Sequence, residues 1–460
     1  SRHVALRADL GLFLFVYGCV LAVSILITGN TGWAPLQVYT TIAWTLYFPI
    51  AMIGIVGAFA GRRLPRLKYR GSIAQMVIFM IPSVVRDDTL PALIGVIDSV
   101  FASAPKQIPN FMIQIVVDEG APALEKLAQH YREIDPNDQK HLWYTIVPKA
   151  YKTKHGTLKK ARANHYAMLE RARLGLERSD IFIFHLDDDT RITPQTAMTI
   201  ADFVAHKSHK YYAAQGALAF PFQLTRSWFC AMMDSVRGGD DLLRFQAALL
   251  RFGGPIFGFH GENLLVNSVI EARIGWDFGP VYVEDAYFAL AFMRAYPRRA
   301  TFLQSCTYGG SPETVGDMLI QRRRWSHGLF GLLADRKIPW SRKWMMGYAI
   351  INWALGLFQH AGVIFLLAAL LGRLNTSPVA SAFIFIWGFN LAYQIWMYLT
   401  GLAINLSASQ AAAWKYYVFP WLVVLLLPVF SFIEALAAIL GFFDFLRGSK
   451  EFRVIKKSVS

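Results

Sequence analysis

The sequence predicts an α/β domain, residues 72–335, inserted between transmembrane α-helices at the two ends of the chain. Three observations carry this. Of 460 residues, 55% are hydrophobic and 17% charged, against about a quarter charged in ordinary soluble proteins. The apolar residues gather into long runs at the two ends. Between those runs, short apolar stretches alternate with helix-like ones over roughly 260 residues, enough to bury a full core.

The N-terminal unit, residues 1–71, holds two uncharged apolar runs, 10–27 and 36–60. Each is long enough to cross a bilayer at about 20 residues per crossing. The connection 29–35 carries no charge, whereas Arg2, His3 and Arg7 lie before the first run and Arg62, Arg63, Arg66, Lys68 and Arg70 follow the second. Basic residues favour the cytosolic side, so the pair reads as a helical hairpin with both ends in the cytosol. The second run with its basic stop argues against a cleaved signal peptide.

In the central unit, residues 76–82, 112–117, 142–147 and 181–186 read as buried strands, with helices between them at 122–134 and 157–173. Apolar strands alternating with helices predict a largely parallel sheet covered on both faces. Ligands then bind outside the carboxyl ends of the strands, which directs attention to the polar residues that follow each strand.

The C-terminal unit, residues 336–460, holds three apolar segments, 346–372, 382–406 and 414–442, and a basic tail. Three crossings from the cytosol would leave that tail outside. The last segment is interrupted by Pro420 and Pro428 and carries Glu434. It is therefore expected to end in an amphipathic element over 431–445 on the cytosolic face, another segment being split or re-entrant. The net charge of +15 is concentrated beside the apolar runs, as on cytosolic flanks of membrane helices, and argues against nucleic acid as a partner. Glu434 and His360 are almost the only charged or titratable groups in the spans, unlike a transporter. Cys19, Cys230 and Cys306 form no CxxC, so neither a disulfide framework nor a zinc site is indicated.

Three blocks carry chemistry. Residues 181–190 read IFIFHLDDDT: a buried strand ends in Asp187, Asp188 and Asp189. Three adjacent carboxylates repel unless a cation neutralises them, and Mg2+ or Mn2+ shared with a diphosphate suits such oxygens. A solvated acidic turn, with Asp189 or Thr190 capping a helix, is the competing reading. Next comes Val283-Glu284-Asp285. With a nucleoside-diphosphate sugar as donor, inverting transfer needs a carboxylate to take the proton from the attacking hydroxyl, and Asp285 is the candidate base. An acidic first turn that stabilises a helix fits equally. Third is Gln321-Arg322-Arg323-Arg324-Trp325. Arginine matches phosphate oxygens, the departing diphosphate needs stabilising, and Trp325 offers a flat face to a sugar ring.

Together the blocks resemble the membrane-integrated members of glycosyltransferase family 2, which carry D-x-D, then E-D, then Q-x-x-R-W in this order. The resemblance implies a GT-A (Rossmann-like) cytosolic domain. It also implies donor and metal contacts at Asp187 and Asp189, the metal at Asp189, Asp285 as base, and diphosphate and acceptor contacts from Gln321, Arg322, Arg324 and Trp325, with Glu284 beside the acceptor. Asp118-Glu119 is similar to the family's nucleoside-binding turn, with Glu in place of a second Asp. Lys154 precedes a helix and fits either a phosphate contact or a solvated basic loop. The stretch 233–246 and residues 257–266, with Gly261 at their centre, look like the Egghead β-1,4-mannosyltransferases, as do 432–435 and 452–454. That implies GDP-mannose as donor and a lipid-linked or glycolipid acceptor near Gly261 and Glu262. A processive polysaccharide synthase using a UDP-sugar shares the same motifs and is the alternative. Asp234, Arg237, Asp241 and Arg244 recur at helical spacing and read as a salt-bridge ladder along one face. His185, His260 and His327 read as hydrogen-bonded fixtures more readily than as metal ligands.

Overall fold

The computed structural model describes residues 7–28, 44–65, 67, 69, 71–134, 141–370 and 378–448. Outside them lie Arg2, His3, Arg66, Lys68, Arg70, the connection 29–35 and the tail with Lys450, Phe452, Arg453, Val454, Lys456 and Lys457; the side chain of His360 is likewise not described. Helices α1 (Leu10–Thr28) and α2 (Phe48–Arg62) come first. The central domain runs β1 (Met76–Pro82), α3 (Leu90–Ser103), β2 (Phe111–Asp118), α4 (Leu124–Ile134), β3 (Leu142–Val147), α5 (Lys159–Arg173), β4 (Ile181–His185), α6 (Pro194–His206) and β5 (Ala213–Ala219). A helical run follows: α7 (Trp228–Met233), α8 (Ser235–Asp240), one π turn over Asp241–Phe245 and α9 (Gln246–Leu250). Then come β6 (Leu264–Asn267), α10 (Ser268–Ile274), α11 (Glu284–Ala295), β7 (Ala300–Tyr308) and α12 (Val315–Ala334). Three long helices complete the described chain: α13 (Trp340–Leu370), α14 (Pro378–Ala408) and α15 (Ala413–Leu446).

The sheet has the order β3-β2-β1-β4-β6-β5-β7. β1 pairs in parallel with β2 and β4, β2 with β3, and β5 with β7; β6 runs antiparallel to both β4 and β5. The largely parallel expectation thus holds for the first four strands, and β6 breaks it. Its four residues, LLVN, are all buried, and so short an apolar run carries no signal of direction.

Both faces are covered because the strands are apolar on both. In β1, Val77, Phe79 and Ile81 enter one core with α3 and α6, while Ile78 and Met80 enter the other with Trp276 and Phe288. Each such side chain contributes about 1.5–3 kcal/mol on burial. The sheet fixes where β4 ends, and so where Asp187–Asp189 stand.

At the C-terminal end, α15 is one uninterrupted helix of 34 residues with Pro420 and Pro428 inside it. The separate amphipathic element expected over 431–445 is therefore corrected. Each proline removes a helix hydrogen bond, but tertiary packing of Val423, Leu427 and Phe430, all buried, holds the helix straight through. Among the described residues it is the one helix long and apolar enough to cross a membrane. At 1.5 Å per residue it spans about 51 Å, more than a hydrocarbon core of about 30 Å. Its C-terminal part packs on α12 instead: Ser326 Oγ donates to Ala438 O at 2.6 Å, and a side chain at Gly441 would start 2.4 Å from the Arg323 carbonyl oxygen.

Candidate active site

The acidic run sits where the sheet puts it, directly beyond β4. No helix begins at Asp189 or Thr190; the next helix is capped by Thr193. Asp188 accepts a hydrogen bond from Ser83 Oγ, beyond β1, at 2.8 Å. Asp187 is bound by Lys160 Nζ, which also donates to Gly261 O at 2.9 Å. Part of the counter-charge the aspartates need therefore comes from the chain itself. Lys160 lies near the N-terminus of α5, and burial works against its charge, but Asp187, Glu284 and Asp285 around it hold its pKa above the ordinary lysine value.

Glu284 and Asp285 open α11. The Ala286 N–H donates to Asp285 Oδ1 at 2.8 Å. The helix N-terminus favours both carboxylates, yet burial pushes both up. Glu284 rises to about 7, with Asp285 beside it adding to the shift and Lys160 opposing it. Asp285 is raised by burial against the pull of Lys160 and His260. The acidic first turn is thus present, and it faces the same lysine as Asp187. A side chain at Gly261 would start 3.6 Å from Asp285 Oδ2 and 2.8 Å from Lys160 Nζ, so the backbone here lies close against both.

The third block lies on α12. Arg322 is 2% exposed and is held between Asp234 of the loop joining α7 and α8, Glu434 of α15 at 2.8 Å, and Gln321 Oε1 at 2.7 Å. Arg324 is weighed on by burial, while Glu284, Asp187 and Asp285 act the other way. The Trp325 ring has the guanidinium of Arg322 at 4.4 Å and that of Arg237 at 5.0 Å from its centroid.

These groups share one cavity of about 640 Å³, within the range of small-molecule sites. Asp187, Asp189, Gly261, Glu262, Glu284, Asp285, Gln321, Arg322, Arg324 and Trp325 all line it. The other three predicted residues do not. Asp118 is paired with Arg162 at 2.6 Å, Glu119 accepts from the Lys149 N–H at 2.9 Å, and Lys154 is exposed in the loop before α5.

The sequence profile of glycosyl transferase family group 2 matches residues 182–445, a segment that runs from β4 through α15. The chain belongs to this glycosyltransferase family. It is 28% identical to β-1,4-mannosyltransferase egh of Drosophila melanogaster over 357 residues, 76% of this chain and 72% of that protein. It is 27% identical to β-1,4-mannosyltransferase bre-3 of Caenorhabditis elegans over 302 residues, 65% of this chain and 61% of that protein. Among solved structures it matches a mannosyltransferase from Pyrobaculum calidifontis in complex with GDP-Man and Mn2+ at 14% identity and a TM-score of 0.49, covering 90% of this chain and 100% of the other.

The cavity also holds residues that the motifs did not announce. Lys160 ties the strand-end aspartates to the Gly261 backbone; nothing in the sequence separates it from its neighbour Lys159. The helical charge stripe is not a ladder along one face. Arg237 reaches Glu262 at 3.1 Å, Asp241 reaches His260 at 2.5 Å, Asp234 reaches Arg322, and only Arg244 pairs within its helix, with Asp240. Asp241 opens the π turn, and both it and the adjacent Asp240 line the cavity; such turns recur at functional sites. Asp241 is fixed by the Leu218 N–H at 2.9 Å and in turn fixes His260. Glu262 is buried and spends both oxygens, one on Arg237 and one on Thr190. His185 belongs to a buried cluster with Glu271 at 3.0 Å, which also takes Arg171 at 2.5 Å and the Trp276 N–H at 2.9 Å.

Proposed function

We propose that the chain is an inverting GT-A enzyme that transfers mannose from GDP-mannose, in β linkage, to a lipid-linked or glycolipid acceptor at a membrane. One observation carries the reading: a single cavity joins the strand-end aspartates, the half-buried Glu284–Asp285 pair and Arg324 to the helices that flank the domain. The names of the curated relatives support mannose as the sugar.

In this reading Arg324 and Gln321 receive the donor diphosphate, with Asp118, Glu119 and Lys154 toward the nucleoside. Asp285 takes the proton of the acceptor hydroxyl as that oxygen attacks the sugar from the face opposite the leaving group. Burial raises the pKa of Asp285 above the usual aspartate range, which makes the carboxylate a stronger base for that step. Asp187 and Asp189 would hold Mg2+ or Mn2+. Their hard oxygens fit such an ion, with substrate phosphates completing the coordination. Bound there, the ion would neutralise charge on the departing diphosphate. Arg322 is engaged by Asp234 and Glu434, so its part is to seat α12 rather than to reach for the donor. The acceptor side is assigned to Trp325, Glu262, Gly261 and Glu284.

Helices α1, α2 and α13–α15 anchor the enzyme in the bilayer in this reading, with the catalytic domain cytosolic. Arg62 and Arg63 at the end of α2, and Lys337 and Arg342 around the start of α13, stand as cytosolic flanks do. The test is turnover by purified protein with a panel of GDP- and UDP-sugars, with and without a lipid extract. The expected product is lipid-extractable, carries one added mannose and needs GDP-mannose. A long water-soluble polymer made from a UDP-sugar alone would establish the synthase alternative instead.

A further inference from the structure

The cavity does not end at the carboxylates. Its lining also takes in Tyr47, Ile50, Phe257, Met346, Ala349 and Trp353, and Tyr47, Ile50, Phe257 and Ala349 pack together in one cluster that gives the cavity an apolar arm. Arg244, paired with Asp240, lies against this cluster, its guanidinium over the Phe257 ring at 4.7 Å from the centroid. The walls of this arm are α2 with the residues before it, α13, and the loop that follows α9. They are fixed against one another. Tyr348 of α13 donates to the Leu46 carbonyl, and a side chain at Gly57 of α2 would start 1.8 Å from the Leu243 carbonyl oxygen of the π turn. The arm is therefore a permanent part of the fold, continuous with the transfer site.

The outer surfaces of the same two helices are apolar as well. Met52 and Phe59 of α2 and Trp344 and Ile351 of α13 are exposed, a surface that a bilayer would cover. The carboxylate and arginine part of the cavity suits a sugar and its charges, the apolar arm suits hydrocarbon, and the exposed apolar faces of α2 and α13 lie just outside. An amphiphile matches that order; a growing sugar chain, polar along its whole length, does not.

We propose that this arm, walled by α2 and α13, holds the hydrocarbon chain of the acceptor, with the acceptor's sugar head placed at Asp285. The inference rests on the reading of the acceptor as a glycolipid and adds the subsite that selects it. Chain length then becomes a specificity determinant, since each methylene moved from water into the arm strengthens binding up to about fourfold.

The experiment uses the full chain in nanodiscs with GDP-mannose and a series of ethyl, butyl, hexyl and octyl β-hexosides, each kept below its micelle concentration. The expected result is a kcat/KM that climbs at every step of the series. Ala349→Trp, which fills the arm, should bring the octyl-to-ethyl ratio down toward one. Transfer that is indifferent to chain length overturns the inference and leaves the enzyme's reading standing. So does an Ala349→Trp variant that lowers all four acceptors by the same factor. Should that variant fail to fold, the slope of the native series decides alone. Absence of transfer to every hexoside and to lipid extract counts against the glycolipid reading itself.

Discussion

Arg322 Nε on α12 donates to Glu434 on α15 at 2.8 Å, so the helix that carries Arg324 and Trp325 is seated on the C-terminal apolar helix through a buried charge. Asp234 engages the other side of the same guanidinium, and Arg323 pairs with Asp444 one turn beyond Gly441. An acid within a long apolar helix is costly unless it is paired, and here its partner belongs to the active-site helix.

Glu434→Ala should therefore harm two properties at once. Removing one partner of a buried ion pair costs about 3–5 kcal/mol. Thermal unfolding of the purified variant should fall by several degrees, and transfer should fall with it because Arg324 and Trp325 lose their support. A variant with native stability and native turnover would show that the pair is incidental.

Asp285→Asn should abolish mannosyl transfer while nucleotide-sugar binding, measured by calorimetry, stays near native. Arg324→Ala should instead slow turnover about 100-fold or more, the usual loss for one charge-stabilising donor. Near-native turnover by Asp285→Asn would remove it from the role of base.

The pH profile follows from the two half-buried carboxylates. The base must be ionised to act, and burial raises Asp285, with Glu284 beside it at about 7. Activity should thus fall on the acid side, along a limb that lies above the ordinary aspartate range. Asp285 raises Glu284 rather than the reverse, so Glu284 is still protonated as Asp285 ionises, and Glu284→Gln should leave the acid limb of kcat/KM in place. A limb that moves with this substitution contradicts the arrangement.

How much of this was legible in the sequence depends on range. The first four strands were, because each is an apolar run bounded by turns, and the end of β4 located Asp187–Asp189 without further help. The D-x-D, E-D and Q-x-x-R-W blocks were legible as types and order, and they do converge on one cavity. What local pattern does not hold is partnership across the fold. Asp234 and Arg237 look like rungs of one helix, yet their partners are 88 and 25 residues away. The direction of β6 was hidden for the same reason, as was the continuity of α15, where packing overrides two prolines.

Lys160 gives the sharpest test of how the two acidic blocks are joined. Its Nζ binds Asp187 and Gly261 O together, and Asp285 and Glu284 feel its charge. Lys160→Met should act in two opposite directions. With a competing cation gone from Asp187, the Mn2+ concentration for half-maximal activity should fall, since like charges in one site weaken each other's binding. Maximal turnover should nevertheless drop, because the tether between the aspartate run and the Gly261 backbone is lost and both Glu284 and Asp285 become harder to ionise. That second effect predicts an acid limb shifted to higher pH, where Glu284→Gln leaves it in place. EDTA should stop both native and variant enzymes, and added Mn2+ or Mg2+ should restore each. Full activity in excess EDTA after dialysis would remove the metal from Asp187 and Asp189. A Lys160→Met enzyme that needs more Mn2+ and keeps the native pH profile would show that this lysine only packs the site.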